Sequence, residues 1–267
     1  MVRFAVGIEY DGTAYAGWQS QSSAPSIQAL VEQAFSTVAN EAVTLVCAGR
    51  TDAGVHAREQ VAHFDTSATR PLRGWLLGAN SNLPRDISVA WITPVPMHFH
   101  ARYSAETRTY RYFIFNRPVR SALVEKRAAQ LHRPLDHERM RAAAAAFIGE
   151  HDFSAFRSSE CQAKSTVRRL TRMSVERAGD WLAVEVTANA FLHHMVRNLV
   201  GVLLEIGRGE QPVEWARHVL ESRDRTQAGV TAPAEGLYMW SVAYPAAFGL
   251  PGGGRSAMIP APFDARV

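Results

Sequence analysis

The sequence predicts an α+β fold built from two ferredoxin-like, split βαβ halves. Three observations predict it. Strand-like and helix-like patterns run twice in the order β-α-β-β-α-β. The chain of 267 residues suits one large domain or two ordinary ones. Its 47% hydrophobic and 20% charged residues are ordinary for a globular chain with a sizeable core. These patterns divide the chain into an N-terminal half over 1–104, a C-terminal half over 105–245 and a Gly/Pro-rich tail over 246–267. The tail is expected to be flexible, because Pro251-Gly252-Gly253-Gly254 and Pro260-Ala261-Pro262 cannot sustain regular structure.

In the first half, residues 4–9 read as a strand. Ser26 stands as an N-cap before Ile27, Leu30, Val31, Ala34 and Val38 at helical spacing. Two short strands follow over 43–47 and 60–64, then a helix from residue 71 and a strand over 87–92. The second half opens with an alternating strand over 107–115. Asp136 caps an Ala-rich helix running to Phe147. Strands over 167–177 and 181–187 flank Ala178-Gly179-Asp180, a hairpin signal. Helices over 192–206 and 212–220 and a strand over 237–242 complete the pattern.

Composition excludes several classes. No apolar run approaches a membrane span. The N-terminus enters a strand pattern directly, which argues against a signal peptide. Two cysteines, Cys47 and Cys161, make no disulfide framework, and no Cys-x-x-Cys or His-Glu-x-x-His pattern offers a metal cage. A cytoplasmic address follows as the default. The net charge is +4, yet only Lys126 and Lys164 are lysines. Arginine suits bidentate contact with phosphate. Arg102, Arg108, Arg111, Arg117 and Arg120 form one cluster, and Arg168, Arg169, Arg172 and Arg177 another. Such clusters fit a nucleic-acid footprint and also a solvated face.

Three places can carry chemistry. The stretch Ala48-Gly49-Arg50-Thr51-Asp52-Ala53-Gly54-Val55-His56-Ala57 puts Asp52 on a Gly-bracketed loop between two strands, two residues from Arg50. In extended chain the two side chains share a side. A guanidinium favours the ionised acid, and an ionised Asp can act as a nucleophile. An Asp in such a turn also serves simply as a turn former. The strand Arg108-Thr109-Tyr110-Arg111-Tyr112 puts Tyr110 and Tyr112 on one face. A Tyr beside arginines can stack on a flipped base, or be a core aromatic with its hydroxyl bonded; Tyr112 fits the core better. The helix from Leu192 is mostly apolar, with His194, Arg197, Asn198, Gly201 and Glu205 sharing a narrow strip. A partly buried Arg197 needs an anion, for which Asp52 is the candidate. Adjacent His193 and His194 on a helix would not share a face, which argues against a metal.

With these residues in hand, the chain resembles the tRNA pseudouridine synthase A family from Phe4 to Tyr244. The motifs that carry the resemblance are Tyr10-Asp11-Gly12-Thr13, Gly17-Trp18-Gln19, the loop from Gly49 to Ala57, Phe99-His100-Ala101-Arg102, Tyr110-Arg111-Tyr112, His151-Asp152-Phe153 and Phe191-Leu192-His193-His194-Met195-Val196-Arg197. The resemblance implies an isomerase that converts uridine to pseudouridine at positions 38–40 of the tRNA anticodon arm. It implies that Asp52 is the catalytic aspartate and that Tyr110 stacks on the target base. It further implies that Arg50 assists base extrusion and that Arg197 pairs with the aspartate. The implied fold is a continuous antiparallel sheet shared by the two halves, helices on one side and an active-site cleft between them. The implied assembly is a homodimer on tRNA with no metal or organic cofactor. Asp52 can attack C1′ or the base, or abstract a sugar proton to give a glycal; the residues do not choose among these. The alternatives are a non-catalytic tRNA-binding module, and a dimeric aspartic peptidase built on Asp-Ala-Gly, which would need two carboxylates sharing a proton.

Overall fold

The computed structural model describes residues 1–21 and 24–251. The chain forms an α+β fold with mixed strand pairing and separates into two compact units, residues 1–108 with 238–251, and residues 109–237.

The first unit contains β1 (Val2–Tyr10), α1 (Ile27–Ala39), β2 (Val46–Cys47), β3 (His56–Thr66), α2 (Leu72–Asn82) and β4 (Ile87–Val95). β1 lies between β4 and β3, antiparallel to both, and β2 pairs antiparallel with β3. The order β4-β1-β3-β2 is that of a ferredoxin-like unit, as the sequence pattern predicts. A late strand, β10 (Leu237–Ala243), joins β3 in parallel through Tyr238 opposite His56 and Met239 opposite Ala57. β2 is too short to cover β3, so β10 takes the end of β3 that β2 leaves.

Ser26 occupies the N-cap of α1, but its hydroxyl makes no cap bond. Asn40 closes the helix with φ 57°, the left-handed conformation that Asn tolerates. The helix buries Ile27, Val31, Ala34 and Phe35. Phe35 packs on Phe64 at 4.8 Å between ring centroids, and Phe64 packs on Phe4 and Trp75, each at 5.7 Å. The other face of β1 is also covered. Ala5, Val61, Phe99 and Ala101 form a second core, with Trp91, Tyr244 and Phe248 against it. At the start of the stretch 246–267, Ala246–Phe248 is a 3-10 turn, and Phe248 lies edge-on to Phe99 at 5.1 Å. An aromatic residue embedded in the tail found a core, which a Pro/Gly count does not weigh. The remainder of that stretch, 252–267, lies outside the described residues.

The second unit contains most of β5 (Thr107–Asn116), then β6 (Ala129–Leu131), α3 (His137–Ala144), β7 (Gly149–Asp152), β8 (Val167–Ala178), β9 (Trp181–Ala188), α4 (Met195–Gly207) and α5 (Trp215–Ser222). Its strand order is β5-β9-β8-β7, with β6 parallel on β5. Asp136 caps α3 by accepting from the Glu138 and Arg139 N–H groups. The β8–β9 hairpin closes between Ala178 and Trp181, with Gly179 at φ 60° as a tight two-residue turn requires. The two parallel pairings, β3 with β10 and β5 with β6, are features that an antiparallel expectation leaves out.

His63 on β3 gives a test of the second core. The ring is 4% exposed, and its Nδ1 accepts the Ala101 N–H at 3.1 Å. Burial, with the Arg3 and His100 charges nearby, pushes it down to about 4 from 6.5. The unfolded imidazole takes up a proton as the pH falls below 6.5, whereas the folded one resists until about 4. The stability that neutral His63 contributes is therefore full above pH 6.5 and lost as the pH falls through 4. Urea unfolding across that window should show a wild-type advantage over His63→Gln that shrinks by roughly 2 kcal/mol. A pH-independent difference would refute it.

Candidate active site

The loop 48–55 of the first unit is held by its backbone. The Ala48 N–H donates to Val61 O at 2.8 Å, and the Ala48 carbonyl accepts from the buried Arg108 guanidinium at 3.1 Å. The Gln60 carboxamide donates to Gly49 O, and the Trp18 N–H donates to Thr51 O at 3.0 Å. The hydroxyls of Tyr10 and Thr51 bond at 2.7 Å in the interior. The Val55 N–H donates to Asp52 O at 3.1 Å, closing a four-residue turn with Gly54 at φ 75° in its third position. That position needs a glycine for a type II turn. Asp52 is half-buried on this frame and Arg50 is exposed.

The two N-terminal motifs lie under the loop. A Cβ on Gly12 would fall 2.0 Å from the Val55 carbonyl oxygen. A Cβ on Gly17 would fall 2.6 Å from Thr51 O, and Gly17 also holds φ 96°. Only glycine lets these turns touch the loop backbone. The Gly12 N–H donates to His56 Nδ1 at 3.0 Å, which ties the first turn to the residue that leaves the loop. Tyr10-Asp11-Gly12 and Gly17-Trp18 are thus supports of Asp52, a role that the sequence motifs alone do not disclose. Cys47 at the foot of the loop is half-buried, and burial pushes its thiol up to about 11, which keeps it protonated at neutral pH.

In the second unit, Tyr110 on β5 is 8% exposed, with its ring edge-on to Phe191 at 5.0 Å. Tyr112 is a core aromatic, as expected: it is fully buried, and its hydroxyl donates to Pro233 O at 2.9 Å. The helix expected over 192–206 begins three residues later, at Met195. The Met195 N–H donates to Leu192 O at 3.0 Å, and His194 holds φ 62°, so the chain turns there instead of coiling. This corrects the two-histidine reading. His193 and His194 occupy a turn, and their rings lie 4.1 Å apart. Arg197 is half-buried on the first turn of α4, where its Nε donates to Ala232 O at 2.8 Å.

The sequence reading missed the segment that carries Ala232. The polar strip of α4 holds the chain from 225 to 232: a Cβ on Gly201 would meet Val230 O at 2.1 Å, and the Asn198 carboxamide oxygen accepts from Thr231 and Arg225. The available signal was Gly201 within an otherwise bulky helix, a mark of close backbone approach. The arginine clusters also divide. Arg108 is buried on main-chain carbonyls, Arg111 pairs with Glu185 at 2.6 Å, and Arg177 donates to Leu135 O and Asn116 Oδ1. These three are architectural. Arg102, Arg120, Arg169 and Arg172 are exposed.

The glycine contacts generate a prediction. Gly17→Ala must move the Thr51–Ala53 backbone or unfold the turn, and should destabilise the protein by about 1–3 kcal/mol in chemical denaturation. An alanine variant as stable as wild type would mean that the loop yields freely.

Comparison with known proteins gives this geometry a family. A family model described as tRNA pseudouridine synthase matches residues 7–104 and 143–245. Arg50, Asp52 and Arg197 fall inside the matched stretches, and Tyr110 falls in the interval between them. The chain is 53% identical over 251 residues to tRNA pseudouridine synthase A of Hydrogenovibrio crunogenus, covering 94% of this chain and 96% of that one. It is 54% identical over 249 residues to the protein of that name in Methylococcus capsulatus, covering 93% and 92%. With Pseudomonas aeruginosa tRNA pseudouridine synthase A it shares 53% identity over 250 residues, covering 93% and 88%. On its matched length and on these identities, the chain belongs to the tRNA pseudouridine synthase family.

Proposed function

We propose that this protein isomerises uridine to pseudouridine at positions 38–40 of the tRNA anticodon arm. The observation that carries the reading is Asp52 on a backbone-anchored loop, in a chain that matches tRNA pseudouridine synthases nearly end to end. In this reaction the N1–C1′ bond breaks, the uracil turns, C5 bonds to C1′, the C5 proton is lost and N1 takes up a proton, so that product and substrate are isomers. No net oxidation or reduction occurs, so the reaction calls for no redox cofactor. Asp52 serves as the catalytic carboxylate and Arg197 as a second active-site charge. Tyr110 stacks on the target base, and Arg50 fills the space that the extruded nucleotide leaves. Flipping that nucleotide out costs a few kcal/mol, which binding must supply.

The protein works as a homodimer in the cytoplasm, with tRNA as its partner; among the described residues, no helix is long and apolar enough to cross a membrane. The exposed arginines suit a polyanionic substrate, and binding should weaken log-linearly with salt. The matched relatives favour neither a peptidase nor a binding module without catalysis.

Pseudouridine mapping of tRNA from cells with and without this protein tests the activity directly; unchanged maps would refute it. Asp52→Asn should cut turnover at least about a thousandfold while tRNA affinity stays near wild type. Full turnover by Asp52→Asn would end the catalytic assignment. Tyr110→Phe should keep tRNA affinity, and Tyr110→Ala should lose about 1–3 kcal/mol of stacking in a binding titration. Equal affinities for the two variants would remove the stacking role.

A further inference from the structure

Arg197 is held by a device built on three other side chains, Asn198, Thr231 and Arg225. Asn198, 1% exposed, donates its amide to Phe156 O at 2.7 Å. Its carboxamide oxygen accepts from Thr231 Oγ1 at 2.7 Å and from the Arg225 guanidinium at 3.2 Å. The Thr231 hydroxyl in turn accepts from Arg225 at 3.0 Å. Another arm of Arg225 donates to Gly229 O at 3.1 Å, which curls the segment back on itself. Gly201 lets the Val230 carbonyl come down onto the helix. The next link is reciprocal: the Ala232 N–H donates to Arg197 O at 3.1 Å, and Arg197 Nε donates to Ala232 O at 2.8 Å. A guanidinium is planar, so a fixed acceptor on Nε sets the plane of the whole fork. Thr231 is the residue next to that acceptor.

We propose that Thr231 is a positioning residue for Arg197. Its hydroxyl, clamped between Asn198 and Arg225, fixes the Ala232 carbonyl and through it the orientation of the Arg197 guanidinium. The proposal rests on the reading of Arg197 as an active-site arginine. Active-site groups need placement within about 0.5 Å, and small displacements lower the rate without changing overall binding. Thr231→Val keeps the shape and removes only the hydroxyl. Asn198 Oδ1 retains Arg225 as a partner in that variant, so no buried polar atom is orphaned and the fold survives.

The experiment uses the full chain with an anticodon-arm tRNA transcript. Thr231→Val should lower kcat on the order of tenfold with KM within about twofold of wild type. Its Tm should shift by no more than about 2–4 °C. Thr231→Ser, which restores the hydroxyl, should recover the rate. Arg197→Lys should be slow by itself, about a hundredfold, and Thr231→Val should cost nothing further in that background. Four results overturn the proposal: full turnover by Arg197→Lys, wild-type kcat in Thr231→Val, failure of Thr231→Ser to recover it, or losses that multiply in the double variant. In the last case, with Arg197→Lys slow, the active-site reading of Arg197 stands and only the positioning falls. Full turnover by Arg197→Lys overturns both.

Discussion

The backbone contact between two glycine turns and the loop 48–55 is the constraint on which the candidate site depends. The loop has little regular pairing of its own, so its backbone polar groups need partners elsewhere. They find them in Trp18, Gln60, Val61 and Arg108, all outside the loop. That arrangement requires Gly12 and Gly17 to sit closer than any side chain allows. The backbone that carries Asp52 is thus held in place by the fold itself, as the frame of a candidate site requires. The buried Tyr10–Thr51 hydroxyl pair adds a directional bond next to Asp52.

The second unit reaches the same end by a different route. Its candidate arginine stands on a helix, a rigid element, but a long side chain on a helix still has rotamer freedom to lose. The segment 225–232 removes that freedom with a main-chain carbonyl on Nε. The segment stays in place because buried Asn198 and the half-buried Thr231 and Arg225 satisfy one another. A polar strip that looks like the solvent side of an amphipathic helix is, in this protein, a seat for a loop. The left-handed His194 sets where that helix starts, at the cost of backbone strain of the kind that concentrates near functional sites.

Much of this was legible from the residues in order. The period-2 and helical patterns gave most of the element sequence, though not the short strands β6 and β7, and Gly179 and Asp136 behaved as turn and cap chemistry require. Tyr112 was recognisable as core because its strand is apolar on both sides. What failed did so for identifiable reasons. Arginine clusters count charge, and charge does not say that Arg108 spends its donors on carbonyls or that Glu185 engages Arg111. Counting Pro and Gly after Tyr244 overlooked one phenylalanine with a core to fill.

The sequence by itself determined the α+β class, the position of Asp52 between two strands and the kinship of the chain, because these depend on local periodicity and on residue identity in ordered motifs. Tertiary structure alone decided why Gly12 and Gly17 cannot be anything else, which arginines are architectural, and what covers the polar strip of α4. Those facts are contacts between residues tens of positions apart. Sequence spacing carries no information on such distances until the chain has folded.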